Sequence, residues 1–301
     1  MSYRTRPSTW LWLGLALLTC ASRPSVAQQA NQPPESADQQ WVKVLRGEDG
    51  DPQAMQTAIV RYKPAKGQDS GVVVDLIGAI HIGDMSYYEA LNRQFEEYDV
   101  LLYELVAPEG TKIERGASSR SSHPVGALQN SMKDLLELDH QLGVIDYTQE
   151  NFVHADMTPD EFTESMAERG EGFMQMFFRM MGLSIAEQSK QQAAGKTTDF
   201  DLLIAFFQPD RALRLKRLMA DQFADTESLL VGFSGPDGST IITERNKKAL
   251  RVLSKQIAAG KKKIGIFYGA GHMDDMGERL EKEFQLQPAE TFWVEAWNLR
   301  D

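Results

Sequence analysis

Val72-Val73-Val74-Asp75-Leu76-Ile77-Gly78-Ala79-Ile80-His81-Ile82-Gly83-Asp84-Met85 has an ending that the chain writes a second time. Near the other end, Ile264-Gly265-Ile266-Phe267-Tyr268 runs into Gly269-Ala270-Gly271-His272-Met273-Asp274-Asp275-Met276, and the two eight-residue endings from Gly78 and Gly269 agree at five positions. Each copy begins as a β-branched apolar run, which reads as a buried strand, and stops at a glycine that allows a sharp turn. Each histidine then falls just past the carboxyl end of a strand, where open α/β sheets gather their ligands. Beyond it, Ser86 with Glu89 and Asp275 with Glu278 have the spacing of helix capping boxes. The repeated unit is strand, Gly-x-x-His loop, helix.

Working outward from the first copy, Met55 to Tyr62 alternates and pairs with Gly71 to Ile77 as a hairpin. Met85 to Tyr98 is amphipathic, with Met85, Tyr88, Leu91 and Phe95 at helical spacing. Tyr98-Asp99-Val100-Leu101-Leu102-Tyr103-Glu104 is a further buried strand that ends on an acid, and an ionised Glu104 among apolar neighbours is costly unless a positive group meets it. Strand, helix, strand at this length is a right-handed βαβ unit. If its two strands are adjacent, Glu104 lies beside His81, and a metal comes into view.

From Val125 to about Ala224 the pattern is almost wholly helical: Leu128 to Leu142, Pro159 to Gly182, Ile185 to Ala194, Asp199 to Phe207 and Pro209 to Phe223. Asn151-Phe152-Val153-His154-Ala155-Asp156-Met157 interrupts it with a short β-like piece. Met166, Met174, Met176, Met180 and Met181 with Phe173, Phe177 and Phe178 form a soft apolar stretch, which reads as adaptable core or as a groove for greasy ligands. Glu244-Arg245-Asn246 opens a helix with Ala249, Leu250, Leu253 and Ile257 on one face, and Glu290 to Trp297 closes the chain as an edge strand. The fold class is α/β: a central mixed, largely parallel sheet flanked by helices, carrying a large helical insertion at about 125–225 within a single domain, 41–301.

Residues 1–27 hold Arg4 and Arg6, the apolar run Trp10 to Leu18 and the small-x-small site Ser25-Val26-Ala27, as in a secretory signal peptide. The run falls short of the roughly 20 residues of a membrane span, so no transmembrane helix is expected in the mature chain. Leu17-Leu18-Thr19-Cys20 resembles a lipoprotein signal except for Thr19, which makes Cys20 a candidate lipid anchor. Residues 28–40 are mostly Gln, Asn, Pro and Ser with almost no apolar residue, a disordered tether. The protein is expected to be exported, periplasmic or secreted. The leader carries three arginines and no acid, so its removal takes the net charge from −11 to about −14. Such a surface disfavours nucleic acid and anionic membranes. Cys20 is the single cysteine, so the mature chain has no disulfide and must hold together by its core.

Twin Gly-x-x-His motifs about 190 residues apart, Glu104 closing the strand after the first, and Arg245-Asn246 before the second are together similar to the TraB/GumN family. Its superfamily also holds the Tiki metalloproteases, erythromycin esterase and the haem-binding ChaN proteins. The likeness covers about Ala58 to Gly110 and Thr240 to Pro288, and the ordered set carries it. It implies that His81 and His272 are the paired histidines, Glu104 the site acid, and Arg245 and Asn246 a polar pair facing the same pocket. The Tiki branch implies divalent-metal-dependent peptide cleavage, with manganese or cobalt ahead of zinc; the TraB branch implies a peptide partner.

The residue chemistry agrees with this. Two imidazoles and a carboxylate leave positions open for water on a divalent ion, which lowers that water's pKa towards neutrality. Arg245 could stabilise an oxyanion or form a surface salt bridge. Glu104 could instead be a general base, with Asp84, Asp275 or Asp156 as third ligand. Asp84 and Asp275 also suit helix caps, and His154 with Asp156 suits a turn into a capped helix. The zinc-protease motif His-Glu-x-x-His is absent. Two function classes follow: an exported metal-dependent hydrolase acting on a peptide or small-molecule substrate, or a non-catalytic protein binding haem, a metal or a peptide.

Overall fold

The run that opens the first twin forms strand β3 (Val73–Ala79), and the run that opens the second forms β8 (Lys263–Gly269). β-Branched residues suit a pleated strand covered on both faces. The two strands are parallel neighbours, with Val74 opposite Ile264 and Ala79 opposite Gly269. Both twin loops therefore leave the sheet at the same end.

The computed structural model describes residues 40–65, 67, 70–113, 136–172, 210–220 and 238–301. The expected leader with Cys20, the tether up to residue 39, and most of the helical stretch, including its Met- and Phe-rich part beyond residue 172, lie outside the described residues. Among those described, no helix is long and apolar enough to cross a membrane.

The remaining described strands are β1 (Val42–Arg46), β2 (Pro52–Pro64), β4 (Ile82–Gly83), β5 (Val100–Tyr103), β6 (Asp139–His140), β7 (Phe152–His154) and β9 (Leu286–Asn298). Among the described residues the main sheet has seven strands in the order β1-β2-β3-β8-β5-β7, with β9 also on β2. It is mixed. β3, β8, β5 and β7 run parallel, while β1, β3 and β9 pair antiparallel with β2. The expected hairpin is present, with Ile59 opposite Ile77 and Tyr62 opposite Val74. β3 and β5 are not adjacent: β8 lies between them, so the βαβ crossover skips one position, which the second twin fills.

The helices are α1 (Met85–Phe95), α2 (Gln141–Val144), α3 (Pro159–Glu168), α4 (211–220), α5 (Arg245–Ala258) and α6 (Met273–Phe284). Alternation along the pleat sends Ile77, Leu101 and Phe267 to one face, against Tyr88, Leu91 and Phe95 of α1. It sends Leu76, Leu102 and Ile266 to the other, against Ala249, Leu250 and Leu253 of α5 and Met276 and Leu280 of α6.

The helical middle departs from its pattern in two described places. Asp139 and His140 extend against Gly83 and Ile82 as strand, breaking the helix expected to reach Leu142. The helix from Pro159 stops at Glu168 and not near Gly182, with Gly170 in the left-handed region at φ +65°. The capping boxes also fall elsewhere. α1 and α6 begin upstream of Ser86 and Asp275, and their N-cap residues Asp84 and His272 make no side-chain cap. The box forms instead at Thr158 with Glu161.

Near the amino end of β3, the buried carboxylate of Asp75 accepts from Nε and Nη2 of Arg61, both at 2.9 Å, and from the Tyr98 hydroxyl at 2.8 Å. An unpartnered charge inside a sheet is expensive. Arg61→Met is expected to lower the unfolding free energy by roughly 3 kcal/mol in urea titrations at neutral pH. A loss under about 1 kcal/mol would show that Tyr98 and solvent satisfy Asp75 on their own.

Candidate functional site

Each parallel strand delivers a polar side chain at its carboxyl end. β3 leads to His81, β5 to Glu104, β7 to His154 and Asp156, and β8 passes through a 3-10 turn, Ala270–His272, to His272. α5 brings Arg245 and Asn246 in its first turn, directly after a π-helical turn over Thr240–Glu244. Such widened turns recur beside functional residues.

Gly269 marks where the groups meet. Its N–H donates to Glu104 Oε2 at 2.7 Å. A Cβ placed on it would stand 3.4 Å from Glu104 Oε2, 3.8 Å from His272 Cδ2 and 3.8 Å from His81 Nε2. The two histidines and the acid singled out in the sequence thus face one small space. The glycine is not there for a sharp turn: its φ of −51° is open to any residue. It keeps the space open, while Gly78 lets β3 lie close to β2, where a Cβ would be 3.3 Å from the Ala58 carbonyl oxygen.

His272 is buried, and its Nδ1 lies 2.7 Å from Asn246 Oδ1. The Asn246 amide nitrogen donates both to the His272 carbonyl at 2.9 Å and to Asp275 Oδ2 at 2.8 Å. With its donors committed, Asn246 accepts from Nδ1–H, which leaves the Nε2 lone pair of His272 turned towards Glu104. Asn246 therefore lies behind His272 as a positioning residue and does not face the pocket. Asp275 steadies it and is itself held by Arg279 Nε at 2.9 Å. Burial lowers the His272 pKa to about 4 against the opposing pull of Glu104, so the ring is neutral at pH 7.

Burial opposes ionisation of Glu104, but His272, Arg245, His81 and the Gly269 amide outweigh it and hold its carboxyl down at about 2. Arg245 Nη2 donates to Glu104 Oε1 at 2.6 Å, and the same guanidinium grips both oxygens of buried Asp156 at 2.9 and 2.6 Å. Arg245 is thus the centre of a buried acid-base-acid triad and not a surface salt bridge. Asp84 binds Lys216 Nζ at 2.9 Å and the Asn298 N–H, so neither it nor Asp275 turns to the site. His154 Nε2 bonds the Leu105 carbonyl oxygen at 2.6 Å. His81 is exposed, and its Nδ1 lies 3.2 Å from Gln141 Oε1. Gln141 stands in a stretch whose pattern read as helix, and nothing local in the sequence distinguishes it.

Two imidazole nitrogens and a carboxylate suit a divalent ion that accepts nitrogen and oxygen ligands. Among the described residues no three His, Cys, Asp or Glu side chains stand as a ready-made ligand group. Arg245 is drawn onto Glu104 Oε1, which itself lies 3.6 Å from His272 Nε2, so an ion here would share Glu104 with Arg245.

Gly269→Ala is expected to keep stability within about 1 kcal/mol of wild type, since its backbone geometry and contacts allow a methyl group. The methyl would fill the shared space and shift the ring signals of His81 and His272 in nitrogen NMR spectra; unchanged signals in this variant would contradict the geometry. A pH dependence follows from His272. Its folded pKa of about 4 lies below the ordinary 6.5, so the unfolded chain takes up this proton first as pH falls. Stability should hold above about pH 6.5 and drop by up to roughly 3 kcal/mol from this group towards pH 4. Glu104 adds loss in the same direction below its ordinary 4.5. Urea titrations of wild type and His272→Gln across this range check it, and parallel profiles would contradict it.

No family model matches the chain, and no curated protein and no solved structure matches it.

Proposed function

We propose that the protein is an exported, divalent-metal-dependent hydrolase that cleaves peptides, of the TraB/GumN and Tiki type. One observation carries the reading: His81, His272 and Glu104, drawn from three strands, face the single space beside Gly269. In this reading His81 and His272 with Glu104 hold the ion, manganese or cobalt ahead of zinc. A bound divalent ion would supply a Lewis acid and an acidified water molecule.

The chain's own groups have separable tasks. Asn246 keeps the His272 proton on Nδ1, and burial keeps the ring neutral and able to donate its lone pair. Glu104 stays ionised. Asp156 fixes the plane of Arg245, whose charge would offset negative charge developing on a substrate carbonyl oxygen. The acidic net charge of −11 supports a peptide or small-molecule substrate over nucleic acid. In this reading, residues 1–27 direct export.

Cleavage of a mixed peptide library by the purified chain is expected to stop on chelation and to return with manganese or cobalt. Glu104→Gln should lower kcat/KM by about a hundredfold or more. Cleavage indifferent to chelation would sink the proposal.

A further inference from the structure

The histidines of the two twins are oriented alike by residues that share no motif. His272 Nδ1 meets an amide oxygen from the first turn of α5, and His81 Nδ1 meets one from Gln141, the first residue of α2. The short ladder of β4 and β6 explains how Gln141 arrives. Ile82 pairs with His140 and Gly83 with Asp139, which sets the start of α2 directly against the His81 loop. The Gln141 N–H then donates to the His81 carbonyl oxygen at 3.0 Å.

Gln141 is 6% exposed, and its side chain is committed at both ends. Its amide nitrogen donates to the Tyr147 hydroxyl oxygen at 2.8 Å, so its oxygen is the end that faces His81. Tyr147 is a fixed anchor, packed on Tyr103 and Phe152 with ring centroids at 5.1 and 5.8 Å. Burial pushes its phenol well above the ordinary range, so it remains a neutral hydroxyl.

We infer that Gln141 is the positioning residue of His81: it holds the imidazole proton on Nδ1 and turns the Nε2 lone pair to the space beside Gly269 and Glu104. A neutral amide does this without adding a negative charge next to Glu104, as Asn246 does for His272. The use of that lone pair for an ion rests on the proposed hydrolase, whereas the orientation belongs to the ion-free chain and can be read there.

The test is the nitrogen spectrum of the full chain, labelled with 15N-histidine and free of metal, at about pH 8.5, roughly two units above the ordinary histidine pKa. His81 signals are identified by their loss in His81→Ala. Wild type is expected to show His81 protonated on Nδ1. Gln141→Leu should move it to the Nε2–H form that a free histidine side chain prefers, leaving His272 unchanged, while Gln141→Glu, which keeps an acceptor, should retain Nδ1–H. Manganese affinity by calorimetry should fall about 10- to 100-fold in Gln141→Leu. A wild-type His81 protonated on Nε2 overturns the assignment whether or not the variant folds, and so does a His81 signal indifferent to Gln141→Leu. A chain that binds no ion but shows the Gln141-dependent Nδ1–H sustains the assignment while removing the hydrolase.

Discussion

Parallel pairing of β3 with β8 is the constraint on which the site depends. It joins two segments far apart in sequence in one register, with Ala79 opposite Gly269, so that both Gly-x-x-His loops leave the sheet at one level. Everything else at that end is arranged around this junction. β5 lies on the far side of β8 and places Glu104 against the Gly269 N–H, while β7 adds Asp156 one strand further out. Helices on both faces cover the apolar side chains of the strands, which leaves their carboxyl ends as the place where polar groups collect.

The electrostatic design follows from burial. Glu104, Arg245 and Asp156 form a chain of two acids about one base, an arrangement that rarely stabilises a fold beyond what apolar packing would give. Its value lies in geometry: the guanidinium fixes Glu104 from one side, the Gly269 amide fixes it from the other, and His272 is left neutral at 3.6 Å. The amide partners of the histidines act on a different property, the choice of which ring nitrogen carries the proton. Charge is thus set by the buried triad and orientation by neutral amides.

Much of this was legible in the sequence, for physical reasons. Continuous apolar runs of strand length identified β3, β5 and β8, and an acid closing such a run was conspicuous because its burial needs a partner. Arg245 and Asn246 stood at a helix start and do occupy the first turn of α5. Periodicity reports which face a side chain takes but not which strand lies beside it, so the insertion of β8 between β3 and β5 was not readable. The resemblance implies an Asn246 that faces the pocket, and sequence does not show where an amide points. Gln141 left no signal at all: one polar residue in an amphipathic stretch becomes meaningful only once β4 and β6 pair.

The measurement that tests the account most directly is the melting temperature of the metal-stripped protein with and without excess manganese, cobalt or zinc, beside the His81→Ala/His272→Ala double variant. A ligand at about a thousand times its dissociation constant adds roughly 4 kcal/mol to stability. The melting temperature should rise in the wild type and stay unchanged in the double variant. No rise with any ion, or an equal rise in both proteins, would contradict the proposed metal site.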